Sequence, residues 1–180
     1  MNNFESLGLE GPLLKSIEEM GFETPTPVQE KVIPFLLEGD SDLVALSQTG
    51  TGKTAAFGLP LLSLLDFSSR DTQALILCPT RELCIQITRD LQNFARHLSS
   101  VNVVAIYGGA GIRGQIEDIQ RGAQIVVGTP GRMIDMISRR KIRLSTVRYV
   151  VLDEADEMLN MGFKEDLDTI LSETPEDKNT

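Results

Sequence analysis

Residues 47–54 read Ser-Gln-Thr-Gly-Thr-Gly-Lys-Thr, and residues 153–156 read Asp-Glu-Ala-Asp. A lysine and a hydroxyl behind two glycines can hold a polyphosphate and a divalent cation. Two adjacent carboxylates can hold the same cation and orient a water molecule against the phosphate. Gly50 and Gly52 let the backbone bend so that successive amides face phosphate oxygens, and a helix starting there adds the positive end of its dipole. Lys53 would reach the outer phosphates, and Thr54 would offer an oxygen to Mg²⁺. The full phosphate-loop pattern opens with glycine, where this chain has Ser47; a small residue serves at that mouth while its φ stays negative. Without a ligand, the first stretch would be a glycine-rich strand-to-helix turn and the second a helix start favoured by acids. Two compatible halves in the right order, about a hundred residues apart, point instead to binding of a magnesium nucleotide.

Other chemistry-bearing residues read as structural. Cys78 ends an apolar run and Cys84 lies in a helical pattern, so both count as small hydrophobes rather than a disulfide or a metal site. His97, the single histidine, reads as a helix-end residue, since no serine or cysteine motif accompanies it. The basic run Arg139-Arg140-Lys141-Ile142-Arg143 reads as solvated surface before it reads as a binding face.

These residues need elements to position them. Five short apolar, β-branched runs punctuate the chain at 42–47, 73–79, 101–109, 123–130 and 148–154, each followed by Gly, Pro, Thr or acid. Between them the spacing is helical, as in Leu83, Ile87, Leu91 and Phe94, or Ile112, Ile116 and Ile119. Strands alternating with helices imply an α/β fold: a parallel sheet with helices on both faces and ligands beyond the carboxyl ends of the strands. Ahead of the first run, two helical patterns around 12–20 and 27–37 are separated by the turn-like stretch 21–27. The chain is thus read as a helical segment over 1–40 docked on one sheet domain over 41–180.

Length and composition bound the possibilities. A chain of 180 residues with 41% hydrophobic and 24% charged residues has the composition of one globular domain rather than a disordered chain. No run is apolar enough for a membrane helix, and the acidic start is unlike a signal peptide, so an intracellular protein is expected. The net charge of −9 argues at first against nucleic acid. It divides into −7 over 1–46, +6 over 47–152 and −8 over 153–180, so a basic middle is compatible with a local phosphate-binding face.

With six motifs in order, the chain resembles the N-terminal RecA-like domain of DEAD-box ATP-dependent RNA helicases. They are GFETPTPVQ at 21–29, SQTGTGKT at 47–54, PTRELCIQ at 79–86, GG at 108–109, TPGR at 129–132 and DEAD at 153–156. The resemblance implies a RecA-like phosphate-loop fold, ATP and Mg²⁺ as cofactors, RNA as partner and a cytoplasmic location. It assigns nucleotide binding to Phe4, Gln29 and Ser47, Gln48, Thr49, Gly50, Thr51, Gly52, Lys53 and Thr54. It assigns catalysis to Lys53, Asp153 and Glu154, and the metal to Thr54 and Asp153. Gln29 stands where the family reads adenine, and a carboxamide's donor and acceptor suit adenine N6 and N7. Phe4, seventeen residues before Gly21, matches an upstream aromatic that could stack on the base or simply pack.

The resemblance further implies RNA contacts from Pro79, Thr80, Arg81, Gly108, Gly109, Thr129, Pro130, Gly131 and Arg132. Strand ends bearing Pro-Thr-Arg or Thr-Pro-Gly-Arg supply free amides, a hydroxyl and a guanidinium to a phosphate backbone, without reading bases. The family continues into a Ser-Ala-Thr strand and a second RecA-like domain whose arginines complete the ATP site. A chain ending at Thr180 is therefore expected to be truncated at that end, nearly inactive alone, and to leave a gap in its sheet unless a neighbouring element fills it. A non-catalytic nucleotide- or RNA-binding module, or a DNA translocase or other phosphate-loop ATPase, would share some of these motifs.

Overall fold

The computed structural model describes residues 3–180. Its centre is a four-stranded, wholly parallel sheet of β1 (Ala74–Leu77), β2 (Val103–Ile106), β3 (Ile125–Gly128) and β4 (Tyr149–Leu152), in the order β2-β3-β1-β4. The chain leaves β1 for the far edge, returns through β3 and then crosses to the other side of β1. All four carboxyl ends therefore lie along one edge, with Leu77, Gly128 and Leu152 in register.

Period-two alternation sends the strands' side chains to two cores. Ala74, Ile76, Ile125 and Val127 face a cluster with α3 (Lys53–Leu64) and α4 (Arg81–Phe94). Leu75, Leu77, Val126 and Val150 face the opposite cluster, closed by Met133 and Met136 of α6 (Pro130–Ser138) and by Leu167 and Ile170 of α8 (Lys164–Ser172). α5 (Ile112–Gln120) packs beside β2, and α7 (Ala155–Asn160) follows β4. β1 is buried along its whole length, which explains why its run is apolar without alternation.

The N-terminal helices α1 (Gly11–Glu19) and α2 (Pro27–Glu38) join the first of these cores: Leu9, Leu13, Ile17 and Ile33 are in one cluster with Leu59 and Ile76. Phe4 belongs to it too. His97 accompanies this docking, its ring Nε2 lying 2.8 Å from the Glu19 carboxylate at the end of α1. Both cysteines are buried and free, with the Cys84 sulfur 3.2 Å from the Val127 carbonyl.

The expected first strand over 42–47 is not a strand. Its one ladder-like contact is Leu43 N–H to the Thr180 carbonyl at 2.9 Å, while Val44 and Leu46 are 87% and 94% exposed. The reason lies across the sheet. Asn179 runs parallel beside Tyr149, accepting from Val150 N–H at 2.8 Å and donating to the Arg148 carbonyl at 2.9 Å. Residues 179–180 thus enter the slot between β4 and the 42–43 segment, and above them residues 44–47 form no ladder.

Candidate functional site

The phosphate turn is built at the amino end of α3. Gly52 is the residue before the helix and holds φ +83°, and a Cβ there would collide with the Gln29 carboxamide, so only glycine fits. Ser47 is woven into the turn: its hydroxyl is 2.9 Å from that of Thr51, which itself donates to the Gln48 carbonyl at 2.7 Å. Lys53 folds across the mouth and donates to the Ser47 carbonyl at 3.1 Å.

The turn is braced from α2. Thr26 caps α2, and Gln29 completes a reciprocal capping box. Thr26 also donates its hydroxyl to the Thr51 carbonyl at 2.8 Å, and Gln29 Nε2 donates to the Gly52 carbonyl at 3.1 Å. Gln29 Oε1 accepts from Thr26 N–H at 3.0 Å, so both ends of the carboxamide are engaged and the residue is buried. Gln29 is thus a strut under the phosphate turn, with one amide N–H and one oxygen lone pair left over. Phe4 is 4% exposed, and its ring lies 6.0 Å centroid to centroid from that of Phe22 in a tilted arrangement, so the residue packs into the core here.

β4 delivers the carboxylates. Asp153 continues the ladder, its N–H donating to the Leu77 carbonyl at 2.9 Å. Burial pushes its carboxyl above the ordinary range, while the Lys53 ammonium and the Glu154 backbone N–H pull it back. That pull places the lysine of the turn and the first acid of 153–156 within electrostatic reach. Glu154 adopts φ +53° and ψ +48°, a left-handed conformation costly for a side-chain-bearing residue. It precedes α7 without capping it, so helix capping does not explain the carboxylate.

A magnesium ion would find few protein ligands. Among the described residues no cluster of three or more His, Cys, Asp or Glu side chains is placed to enclose a metal. Thr54 and Asp153 supply hard oxygen donors, and Mg²⁺ ordinarily takes the rest of its shell from phosphates and water, so the donor set fits.

The other strand ends form a braced group. Arg81 lies over the Tyr107 ring at 5.1 Å from its centroid, and Gly109 holds φ +79° beside the Arg81 guanidinium. Arg132 donates to the Ala110 carbonyl at 3.0 Å and to Gln115 Oε1 at 3.0 Å. Thr80 caps α4 through Leu83 N–H at 3.2 Å, whereas Thr129 precedes α6 with no such bond. Pro79 and Pro130 are buried, Pro130 as the first residue of α6, while Gly108 and Gly131 are exposed. Gln115, a buried residue at the centre of this group, escaped the sequence reading because nothing in its spacing marks it. The run 139–143 behaves as surface, with Arg139 paired to Asp135 and Arg143 to Asp71.

A doubly covered parallel sheet whose strand ends meet a glycine-lysine turn is the RecA-like phosphate-loop class. Within that class the chain belongs to the DEAD/DEAH box helicase family, whose profile matches residues 26–180. It is 52% identical over its whole length to the ATP-dependent RNA helicase CshA of Listeria monocytogenes, covering 34% of that protein. Over 175 residues it is 51% identical to the ATP-dependent RNA helicase DeaD of Mycobacterium tuberculosis, covering 31% of it. The crystal structure of a DEAD box protein from the hyperthermophile Methanococcus jannaschii superposes with a TM-score of 0.93 at 44% identity, across 98% of this chain and 48% of that one. The chain thus spans about a third of the length of these curated relatives.

Proposed function

We propose that this chain is the ATP- and RNA-binding part of an ATP-dependent RNA helicase, which couples ATP hydrolysis to local duplex opening together with a second RecA-like domain. The observation that carries the reading is the phosphate turn at the start of α3, where Gly52 is left-handed and Lys53 donates to the Ser47 carbonyl, together with Asp153 at the end of β4, whose carboxyl feels the Lys53 charge. Lys53 holds the outer phosphates in exchange for its bond to the Ser47 carbonyl, and the turn's amides hold the rest. Thr54 and Asp153 would hold Mg²⁺, which would supply positive charge to the phosphate oxygens. Glu154 orients the attacking water.

Gln29 spends one amide N–H on the Gly52 carbonyl and one oxygen lone pair on Thr26 N–H, which leaves one donor and one acceptor for adenine, so a single side chain links base recognition to the phosphate turn. Arg81, Arg132, Thr129 and the 108–109 turn hold an RNA backbone without reading its sequence. Arginines supplied by the second domain complete the charge stabilisation of hydrolysis, and this chain alone turns over slowly. The cytoplasm is the compartment such an enzyme would occupy; no helix among the described residues is long and apolar enough to cross a membrane.

The test compares ATP and GTP affinity, then RNA-stimulated hydrolysis with and without the second domain. Preference for ATP and RNA stimulation that requires the second domain are expected. Equal affinity for ATP and GTP would overturn the adenine reading, and robust turnover by this chain alone would overturn the dependence on added arginines.

A further inference from the structure

Gln115 carries more hydrogen bonds to functional elements than any assigned role explains. It is 7% exposed on α5, and its carboxamide treats Tyr107 as a strand partner would: Oε1 accepts from Tyr107 N–H at 3.2 Å, and Nε2 donates to the Tyr107 carbonyl at 3.1 Å. The same Oε1 accepts from Arg132 at 3.0 Å, which fills both of its lone pairs. A second Arg132 nitrogen donates to the Ala110 carbonyl at 3.0 Å, just past the glycine pair. Tyr107 in turn presents its ring to Arg81. One buried amide therefore joins the end of β2, the glycine turn and the start of α6.

We infer that Gln115 is a positioning residue for the RNA backbone: it fixes the 107–110 turn and aims Arg132 so that the guanidinium's remaining donors face a phosphate. This deepens, and rests on, the reading of this edge as an RNA-binding face. A guanidinium has five N–H donors, and two are directed inward here, so three remain for an anionic oxygen in a fixed orientation. Fixing such a fork before binding lowers the ordering cost of association. Only an amide satisfies this site. A carboxylate could still accept from Tyr107 and Arg132, but it could not donate to the Tyr107 carbonyl, and it would neutralise the arginine.

The test uses the unmodified protein, Gln115→Glu and Gln115→Met. Affinity for a short fluorescent oligouridylate is measured over a salt series, affinity for a fluorescent ATP analogue is measured separately, and thermal melts are recorded. For Gln115→Glu, RNA affinity falls about tenfold and the salt dependence weakens by about one ion, with nucleotide affinity unchanged. Gln115→Met also weakens RNA binding without weakening the nucleotide; should it fail to fold, Gln115→Glu alone decides, since it keeps both acceptor contacts. RNA affinity within twofold of the parent in the folded variants overturns the inference, as does an equal loss of RNA and nucleotide affinity. If the unmodified protein does not bind the oligouridylate, the underlying reading of the face fails, and the inference fails with it.

Discussion

The two ends of the strand-end edge are held differently. Around β2, β3 and α4, side chains of one group brace one another: Arg81 on Tyr107, Gln115 on Tyr107, and Arg132 on Gln115 and Ala110. The phosphate turn is instead held from outside, by Thr26 and Gln29 of α2, and the segment leading into it forms no ladder beyond Leu43. A face that meets a uniform phosphate backbone gains from being fixed in advance. A turn that must exchange internal bonds for a nucleotide gains from being held by bonds that are easy to trade. Local stability should therefore be lower at the turn.

The largest break in this comparison comes from Lys53→Ala. It removes the cation facing both the phosphates and Asp153, and nucleotide affinity falls about 100-fold or more, the scale expected when a charge-assisted hydrogen bond to phosphate is removed. Titration calorimetry with ATP checks this. RNA affinity without nucleotide stays within twofold; a matching loss of RNA binding would mean that the two regions are not separable.

Next come the struts. Gly52→Ala forces a side chain into a left-handed conformation and against Gln29, costing about 1–3 kcal/mol of local order. Gln29→Ala leaves Thr26 N–H and the Gly52 carbonyl without their partner at a half-buried site, a cost of about 1 kcal/mol, and erodes the preference for ATP over GTP. Hydrogen exchange would show both losses at residues 47–54 and none at 107–115. Loosening of both segments together would sink the claim that they are braced independently.

These positions also show how far the chain could be read before its structure was known. Four of the five strand runs became strands, because β-branched runs closed by turn residues report local preference. The run at 42–47 has the same local character, yet a strand needs a ladder, and its neighbour in the slot is residues 179–180, more than a hundred positions away. Lys53 and Asp153 were legible because their chemistry fixes their residue types. The left-handed backbone of Glu154 and the amide of Gln115 were not, since each depends on three-dimensional neighbours that no spacing encodes. For Phe4, stacking and packing call for the same residue type, so the sequence alone does not separate them; the structure shows the packing.

Arg132→Ala gives a smaller effect, confined to the braced face. It removes one charge and two inward bonds, so RNA affinity falls about tenfold on any sequence and the salt dependence drops by about one ion. Loss on some sequences and not others would contradict backbone recognition.

The smallest effect comes from a carboxyl that serves neither region. Burial raises Asp90 on α4 as it raises Asp153, but Asp153 has the Lys53 ammonium against it, whereas Asp90 is opposed only by its neighbour Arg89. A folded pKa above the unfolded one means that the folded state holds the proton more tightly. Ionisation then costs stability: the cost is absent below the unfolded value of about 3.9 and fully present above the raised folded value. Asp90→Asn removes that cost, so the variant melts slightly higher than the parent at pH 7, and the difference closes as the pH falls toward 4. Because Asp90 answers to no ligand, ATP and RNA affinities stay unchanged. A variant that melts lower at neutral pH would mean that the carboxylate has a partner and that burial does not govern it.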